Sequence, residues 1–517
     1  MSLKNKKIFS IFLSTLFLLL FLKVDYRFKE INSGGAQDDS SYYYHAQTIA
    51  IDFDLDYRNQ LNGNFQDAFI REDGKPVPRQ SFGPGFLSSP FLLISNSISQ
   101  YISIKSNTTL NYFFYSLSSL IYLFLSLLCL KAIMLNLDKF EINKLLLITF
   151  GSGVTYFAFE RFSMSTIYEF FSISIVLFFS HKVKDSNIKE YYIFFLPIVQ
   201  FIMLTNRWNN LHIFLVPIIY LVLYKENLNK LYRNMTFYLG NIVGIFIFLT
   251  HTKLLYGFYT FSQRSIYPTG DWVVNQRLEK LIDISNLSDS ILISIRYLLV
   301  TCFSYEFGVF YFSAIVFVSF YFLAYYFFKK NYKLFFVLCL FYLIPFLPIL
   351  VFENHGTSYG FRYLFTLIPV NLLIFFKEFS NRKLIRSYLF IFSIFGILSQ
   401  LFFETTSMSS LSEFTIQNSF GSNSPYSNPT YLTGVLKSMF EPNAYLKIIF
   451  TSFIGVFLVK SVNLFTDFET FLTRYYPVDE KLSNLLNSFE SYSWIYLIFT
   501  IFLLVYSTKI LLSNTDD

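Results

Sequence analysis

The sequence predicts an all-α polytopic membrane protein of about thirteen transmembrane helices, on three observations. The first is composition. Over 517 residues the chain is 54% hydrophobic and only 15% charged, with a mean hydropathy of +0.45, whereas soluble domains carry about 25% charge. The second is that apolar runs recur along the chain, separated by short polar connectors. The third is that lysine and arginine collect in alternate connectors, as the positive-inside rule requires of a chain that crosses a bilayer repeatedly. The net charge of +7 is therefore a topology signal, and no nucleic-acid partner is expected. Cys129, Cys302 and Cys339 lie in or beside apolar runs and form no CxxC pair, which excludes a disulfide scaffold and a structural zinc site.

The first apolar segment, 8–22, follows Lys4, Lys6 and Lys7 and is not trailed by a small-residue cleavage site. It reads as an uncleaved span with a cytoplasmic N-terminus. A long polar stretch follows, too large and too charged for a simple connector, and reads as an ordered outer loop or a small membrane-surface subdomain. Within it, 82–99 is expected to be a re-entrant or interfacial helix. Further spans are expected at 108–133, 144–159, 163–180, 191–205, 209–224, 236–254, 305–328, 334–352, 363–377, 387–403, 446–460 and 491–511, with 291–303 lying in the interface. The basic clusters Lys131/Lys139/Lys144, Lys182/Lys184/Lys189, Lys225/Lys230/Arg233, Lys329/Lys330/Lys333 and Lys377/Arg382/Lys383/Arg386 then all fall on the cytoplasmic side. Three regions result: 1–107, the first span with its outer loop; 108–403, the helical core; and 404–517, a Ser/Asn/Pro-rich outer loop followed by the last spans.

Residues capable of chemistry gather on the outer face. Asp38 and Asp39, in Gln37-Asp-Asp-Ser-Ser-Tyr42, are adjacent carboxylates just past a span, followed by aromatics. A carboxylate here suits a general base toward a sugar hydroxyl, or a ligand holding a divalent cation (Mg or Mn) against a phosphate. The alternative reading is a solvated helix start with acidic first-turn residues. Arg362, in Glu353-Asn-His355-Gly-Thr-Ser-Tyr359-Gly-Phe-Arg362-Tyr363, offers a planar fork for phosphate oxygens; the alternative is an interfacial arginine snorkelling to headgroups. Glu160-Arg161 and Asn206-Arg207 end neighbouring spans, so that Arg161, Arg207 and Arg362 on one face would form a cationic cluster for a phosphate or pyrophosphate. His251 and Lys253, ending another span, could join that cluster, although a lone His there is more often a hydrogen-bonded structural residue; Asp52-Phe-Asp54-Leu-Asp56 reads as a turn, since the spacing of a calcium loop is absent. No phosphate-binding glycine loop and no HExxH motif occurs.

The order of these features resembles that of GT-C-type integral-membrane glycosyltransferases, the superfamily of protein O-mannosyltransferases and lipid A aminoarabinose transferases. The resemblance rests on the N-terminal span, Asp38-Asp39-Ser-Ser-Tyr42-Tyr, Ser81-Phe-Gly-Pro84-Gly85-Phe-Leu-Ser-Ser-Pro90, Ser304-Tyr-Glu306-Phe-Gly308-Val-Phe-Tyr311 and Ser358-Tyr359-Gly360-Phe-Arg362-Tyr363-Leu364. It covers about residues 1–380. The last two segments are similar to Arg-Gly-Leu-hydrophobic and Ser-Tyr-Gly-Pro-Arg-Tyr of bacterial members, but Phe307 stands in place of Arg and Phe361 in place of Pro. The resemblance implies a GT-C-like fold with interfacial helices in the first outer loop. It also implies a polyprenyl-phosphate sugar donor, a glycan, lipid or protein acceptor, and Asp38 as catalytic carboxylate with Asp39 beside it. Arg362, Arg207 and Arg161 are then the expected donor-phosphate ligands, and Tyr42, His355, Tyr359, Glu160 and Glu306 the expected pocket lining, in an enzyme of the inner (plasma) membrane. A lipid-linked glycan transporter or a polymerase-like membrane protein without this transferase activity is the rival expectation, but a transporter would place its ionisable residues near mid-bilayer rather than at one face.

Overall fold

Backbone amides cannot hydrogen-bond to lipid, so a chain this apolar is expected to satisfy them internally by forming helices. The computed structural model describes residues 37–63, 68–101, 108–134, 139–159, 162–184, 190–226, 228–266, 287–303, 308–351 and 361–402, and these are overwhelmingly helical. The expected spans 8–22, 446–460 and 491–511, and the outer loop 404–445, lie outside the described residues.

The polar stretch ahead of residue 108 is ordered. Helix α1 (Gln37–Gln47) runs into a π turn (Thr48–Asp52) that ends at Phe53 in the left-handed region, φ 57°. The Asp52–Asp56 segment is a turn, as its spacing suggested: Asp54 accepts from the Asp56 amide at 3.1 Å, and Asp56 accepts from Arg58 Nε at 2.9 Å. A short helix, α2 (Arg58–Leu61), leads to a two-stranded antiparallel hairpin, β1 (Ala68–Ile70) and β2 (Pro76–Pro78), with Phe69 opposite Val77. That hairpin departs from an all-helical chain. It closes through the turn Arg71–Lys75, where Gly74 takes φ 78°. Helix α3 (Phe82–Tyr101) follows where an interfacial helix was expected and packs on α1.

The body begins with α4 (Thr108–Ile133), α5 (Lys139–Phe150), α6 (Val154–Phe159), α7 (Thr166–Lys184) and α8 (Glu190–Leu204). A 3-10 turn (Leu211–Leu215) leads into α9 (Val216–Leu223); α10 (Asn229–Tyr232) and α11 (Met235–Tyr256) follow. Helices α12 (Leu287–Phe303), α13 (Val309–Phe312), α14 (Ala314–Phe328) and α15 (Tyr332–Val351) come next. The chain then makes a 3-10 turn (Arg362–Leu367), α16 (Ile368–Ile374), a π turn (Phe375–Phe379) and α17 (Lys383–Phe402). Among the described residues three segments are long and apolar enough to cross a membrane: Leu110–Ile133, Thr166–Lys184 and Met235–Tyr256. Glu190–Leu204, Leu211–Leu223, Ala314–Phe328 and Tyr332–Leu347 are shorter apolar helices.

The span expected at 144–159 is not continuous. It breaks at Gly151-Ser-Gly153, where Gly151 lies so close to α17 that a Cβ would stand 2.3 Å from the Ser393 backbone. A broken helix inside an apolar bundle leaves carbonyls that water cannot reach. Here the Phe150 carbonyl accepts from Thr155 Oγ1 at 2.7 Å and from Gln400 Nε2 at 2.9 Å, so α17 supplies what the break removes.

The α8–α11 crossing rests on Gly240-Asn-Ile-Val-Gly244, a small-xxx-small spacing that lets two helix backbones approach. A Cβ at Gly240 would stand 2.1 Å from the Phe194 carbonyl oxygen, and one at Gly244 2.5 Å from the Phe201 ring. Backbone cannot yield as a side chain can, so Gly240→Ala is expected to cost about 1–3 kcal/mol. The check is the thermal midpoint of the detergent-solubilised protein; an unchanged midpoint would mean the two backbones are not in contact.

Candidate functional site

One end of the bundle collects charged side chains from segments far apart in sequence. Asp38 and Asp39 stand in the first turn of α1, where carboxylates favour the positive end of the helix dipole. Their surroundings separate them. Asp39 is 5% exposed and accepts from the Ser163 hydroxyl, whereas the Asp38 side chain is 35% exposed. Asp38 is thus the carboxylate of the pair that a ligand can reach.

Arg362, 324 residues away, donates from Nη2 to Asp38 Oδ2 at 2.9 Å, and Gln80 Nε2 donates to Oδ1 at 3.2 Å. Burial pushes the Asp38 carboxyl up, but the Arg362 guanidinium, with Arg207 behind it, outweighs burial and holds the group below the usual carboxylate range. Gln80 is in turn fixed by His45. The His45 Nε2–H donates to the Gln80 carbonyl at 3.1 Å, which leaves Nδ1 to accept from the Tyr57 hydroxyl at 2.8 Å. Burial pushes His45 down to about 4, so this support stays neutral at physiological pH.

The second arginine is held by a carboxylate that the sequence reading did not single out. Arg207 Nη1 donates to Glu169 Oε1 at 2.9 Å. Glu169 also accepts from Ser165 Oγ at 2.6 Å and from Asn210 Nδ2 at 2.8 Å. Its signal in the sequence is its place, a lone acid near the start of an apolar span, where unpartnered charge is expensive. Tyr363 links the two pairs: its ring centroid lies 4.3 Å from the Arg207 guanidinium carbon and 5.3 Å from that of Arg362. Tyr42 is buried beside the cluster, and burial together with the Asp38 charge pushes its phenol up. The outcome is two ion pairs, Asp38–Arg362 and Glu169–Arg207, joined across one aromatic ring.

Glycines allow this docking. A Cβ at Gly85 would fall 2.4 Å from His45 Cβ and 2.7 Å from the Tyr42 carbonyl oxygen; one at Gly83 would fall 2.6 Å from the Thr205 carbonyl carbon. The Gly83 amide donates to the Thr205 carbonyl at 3.0 Å, tying α3 to the loop that carries Arg207. Phe361, just before Arg362, takes φ 55°, which a bulky residue adopts only where its surroundings force it. A proline, its ring fixed near φ −65°, could not adopt that conformation.

The structure thus brings together Asp38, Tyr42, Arg207 and Arg362, while Asp39 is buried against Ser163. Glu160, Arg161, Glu306, His355 and Tyr359 lie outside the described residues. Among the described residues, no group of three or more His, Cys, Asp or Glu is placed to hold a metal. His251, as expected, is a structural residue: Nδ1 lies 2.7 Å from the Phe248 carbonyl, within a cluster formed with Phe82 and Trp208. No protein-family model, curated protein or solved structure matches this chain.

Two outcomes follow. Glu169→Leu strands the buried Arg207 charge and is expected to destabilise the fold by about 3–5 kcal/mol, measured by denaturation of the purified protein. The Asp38–Arg362 pair lowers a carboxyl pKa, so its stabilisation is complete above about pH 3.9, the unfolded value, and is lost as pH falls through the folded one. As pH falls from about pH 4, wild type is therefore expected to lose stability that Asp38→Asn does not. Parallel melting curves for the two would mean that the pair does not form.

Proposed function

We propose that the protein is a multi-pass membrane glycosyltransferase of GT-C type, its helices extending to about thirteen spans with the N-terminus in the cytoplasm, and that it moves a sugar from a polyprenyl-phosphate donor to an acceptor hydroxyl. The observation that carries this reading is the Asp38–Arg362 pair, a reachable carboxylate and a phosphate-binding guanidinium held 2.9 Å apart at one end of an apolar helix bundle. The acceptor is a glycan, lipid or protein hydroxyl on the extracytoplasmic side of the inner (plasma) membrane, where cell-envelope glycans are assembled.

The chemistry asks little of the protein beyond position and charge, because a lipid phosphate is already a good leaving group. Arg362, with Arg207 beyond Tyr363, supplies the cationic field for the phosphate. The donor phosphodiester carries one negative charge, as a carboxylate does, and offers the guanidinium fork two oxygens, so the arriving donor competes with Asp38 for Arg362. Asp38 then loses the partner that depresses its basicity. As the acceptor oxygen bonds to the anomeric carbon, Asp38 takes the hydroxyl proton. The carbon–oxygen bond to phosphate breaks, and the lipid phosphate leaves with the electron pair. Donor binding and the readying of the base are one event. Glu169 and Asn210 keep Arg207 aimed, and no step is routed through a metal.

The test is transfer from a panel of polyprenyl-phosphate sugars by the purified protein. Asp38→Asn is expected to fold and bind donor but to lose about 10²–10⁴-fold in turnover, the range for removing a general base. Arg362→Lys is expected to raise the donor KM more than it lowers kcat, since a point charge replaces a two-pronged contact. Full turnover by Asp38→Asn would overturn the assignment of the base. Absence of donor binding by wild type would overturn the reaction class.

A further inference from the structure

A charge taken out of water is expensive unless something of opposite sign meets it. Arg386, the fourth residue of α17, is only 4% exposed. Nε and Nη2 of its guanidinium are enclosed and find no acceptor among the described residues. No carboxylate pairs with it there either. Glu378, the acid that precedes it in the chain, reaches Lys329 at 3.8 Å instead. Helices α5, α13 and α14 pack on α17; of these only α5 carries an acid, Glu141, and that acid pairs with Lys144.

The side chain is turned into the protein. Residues about two turns apart share a helix face, so Arg386 shares one with Ser393 and Gln400. Both of those face the α5–α6 break: a Cβ at Gly151 would meet the Ser393 backbone at 2.3 Å, and Gln400 Nε2 donates to the Phe150 carbonyl at 2.9 Å. Leu384, on the opposite side of α17, is 80% exposed. An interfacial arginine that snorkels keeps its head in water, and Arg386 does not.

The start of α17 adds a second demand of the same sign. The Arg386 amide donates to the Arg382 carbonyl at 3.0 Å, so the amides of Lys383, Leu384 and Ile385 come before it and have no partner within the helix. No acid stands in this first turn to meet the positive end of the helix dipole; Arg382, Lys383 and Arg386 add positive charge to it. Helical side chains lean toward the N-terminus, which aims Arg386 back at those amides. Arg382 and Lys383 are exposed and flank the approach from the surface.

We infer that the start of α17, with Arg386 as its buried ligand, is an anion site that takes a phosphate group. The guanidinium fork suits two phosphate oxygens, and the unpartnered amides of a helix start suit another. A phospholipid headgroup and a free phosphate share this chemistry. The site uses no residue of the Asp38 cluster and does not depend on the proposed reaction.

Hydrogen exchange on the full-length protein in neutral detergent tests it, with phosphatidylglycerol, inorganic phosphate and diacylglycerol, which lacks the phosphate, added separately. The amides at the start of α17 are expected to exchange several-fold more slowly with phosphatidylglycerol than with diacylglycerol, while the turn Arg71–Lys75 exchanges at one rate throughout. Protection by phosphatidylglycerol alone identifies a lipid headgroup; protection by inorganic phosphate identifies a site open to free phosphate. Arg386→Met, which removes the unpaired charge, is expected to abolish the protection. Equal exchange at the start of α17 in all three additions would overturn the proposal, as would protection that survives in Arg386→Met. The first of these readouts uses wild type, so it stands even if the variant does not fold.

Discussion

Charge removed from water has to be partnered, and that requirement organises one end of this molecule. Two arginines and two carboxylates meet there from four separate stretches: the first turn of α1, the start of α7, the loop after α8 and the turn before α16. Removing any one of the four strands its partner in a setting that is mostly buried. The glycines of α3 are a consequence: Gly83 and Gly85 bring that helix against the Arg207 loop and against α1 closely enough for Gln80 to reach Asp38. The left-handed Phe361 belongs to the same arrangement, since it directs the chain into the turn that begins at Arg362.

The same accounting applies to uncharged groups in the helical body. Where α5 gives way to α6, the freed Phe150 carbonyl is met by Thr155 and by Gln400 of α17. Where α8 and α11 cross, contact between backbones replaces contact between side chains, because in lipid the gain comes from close packing rather than from expelling water. Both devices pack the helices closely, and one of them lies beside the turn that carries Arg362, where Phe157 of α6 meets Phe365 at 5.8 Å between ring centroids.

Helix α7 ties these levels together. Its first turns carry Glu169 and contact the Arg207 loop, its middle is buried, and its last turn delivers Lys184 to the Tyr224 ring. One rigid element thus sets the spacing between the carboxylate cluster and Lys184.

Periodicity and charge pattern were enough to read the helical class, most helix positions and the ordered loop before α4, because burial of apolar residues and the placement of lysines act locally along a chain. Asp38, Arg207 and Arg362 were likewise visible as charges beside apolar runs. Their pairing was not legible, since a contact between residues 38 and 362 leaves no trace in the spacing of either. Glu169 was passed over because one acid in a helical run looks the same whether it faces solvent or an arginine. The break at Gly151-Ser-Gly153 was read as continuous helix, because only the approach of α17 gives those glycines a reason. The sequence by itself determined which segments become helices and which end of each carries charge. Only the tertiary structure decided which charge meets which, because desolvation and Coulomb attraction depend on distances that packing alone sets.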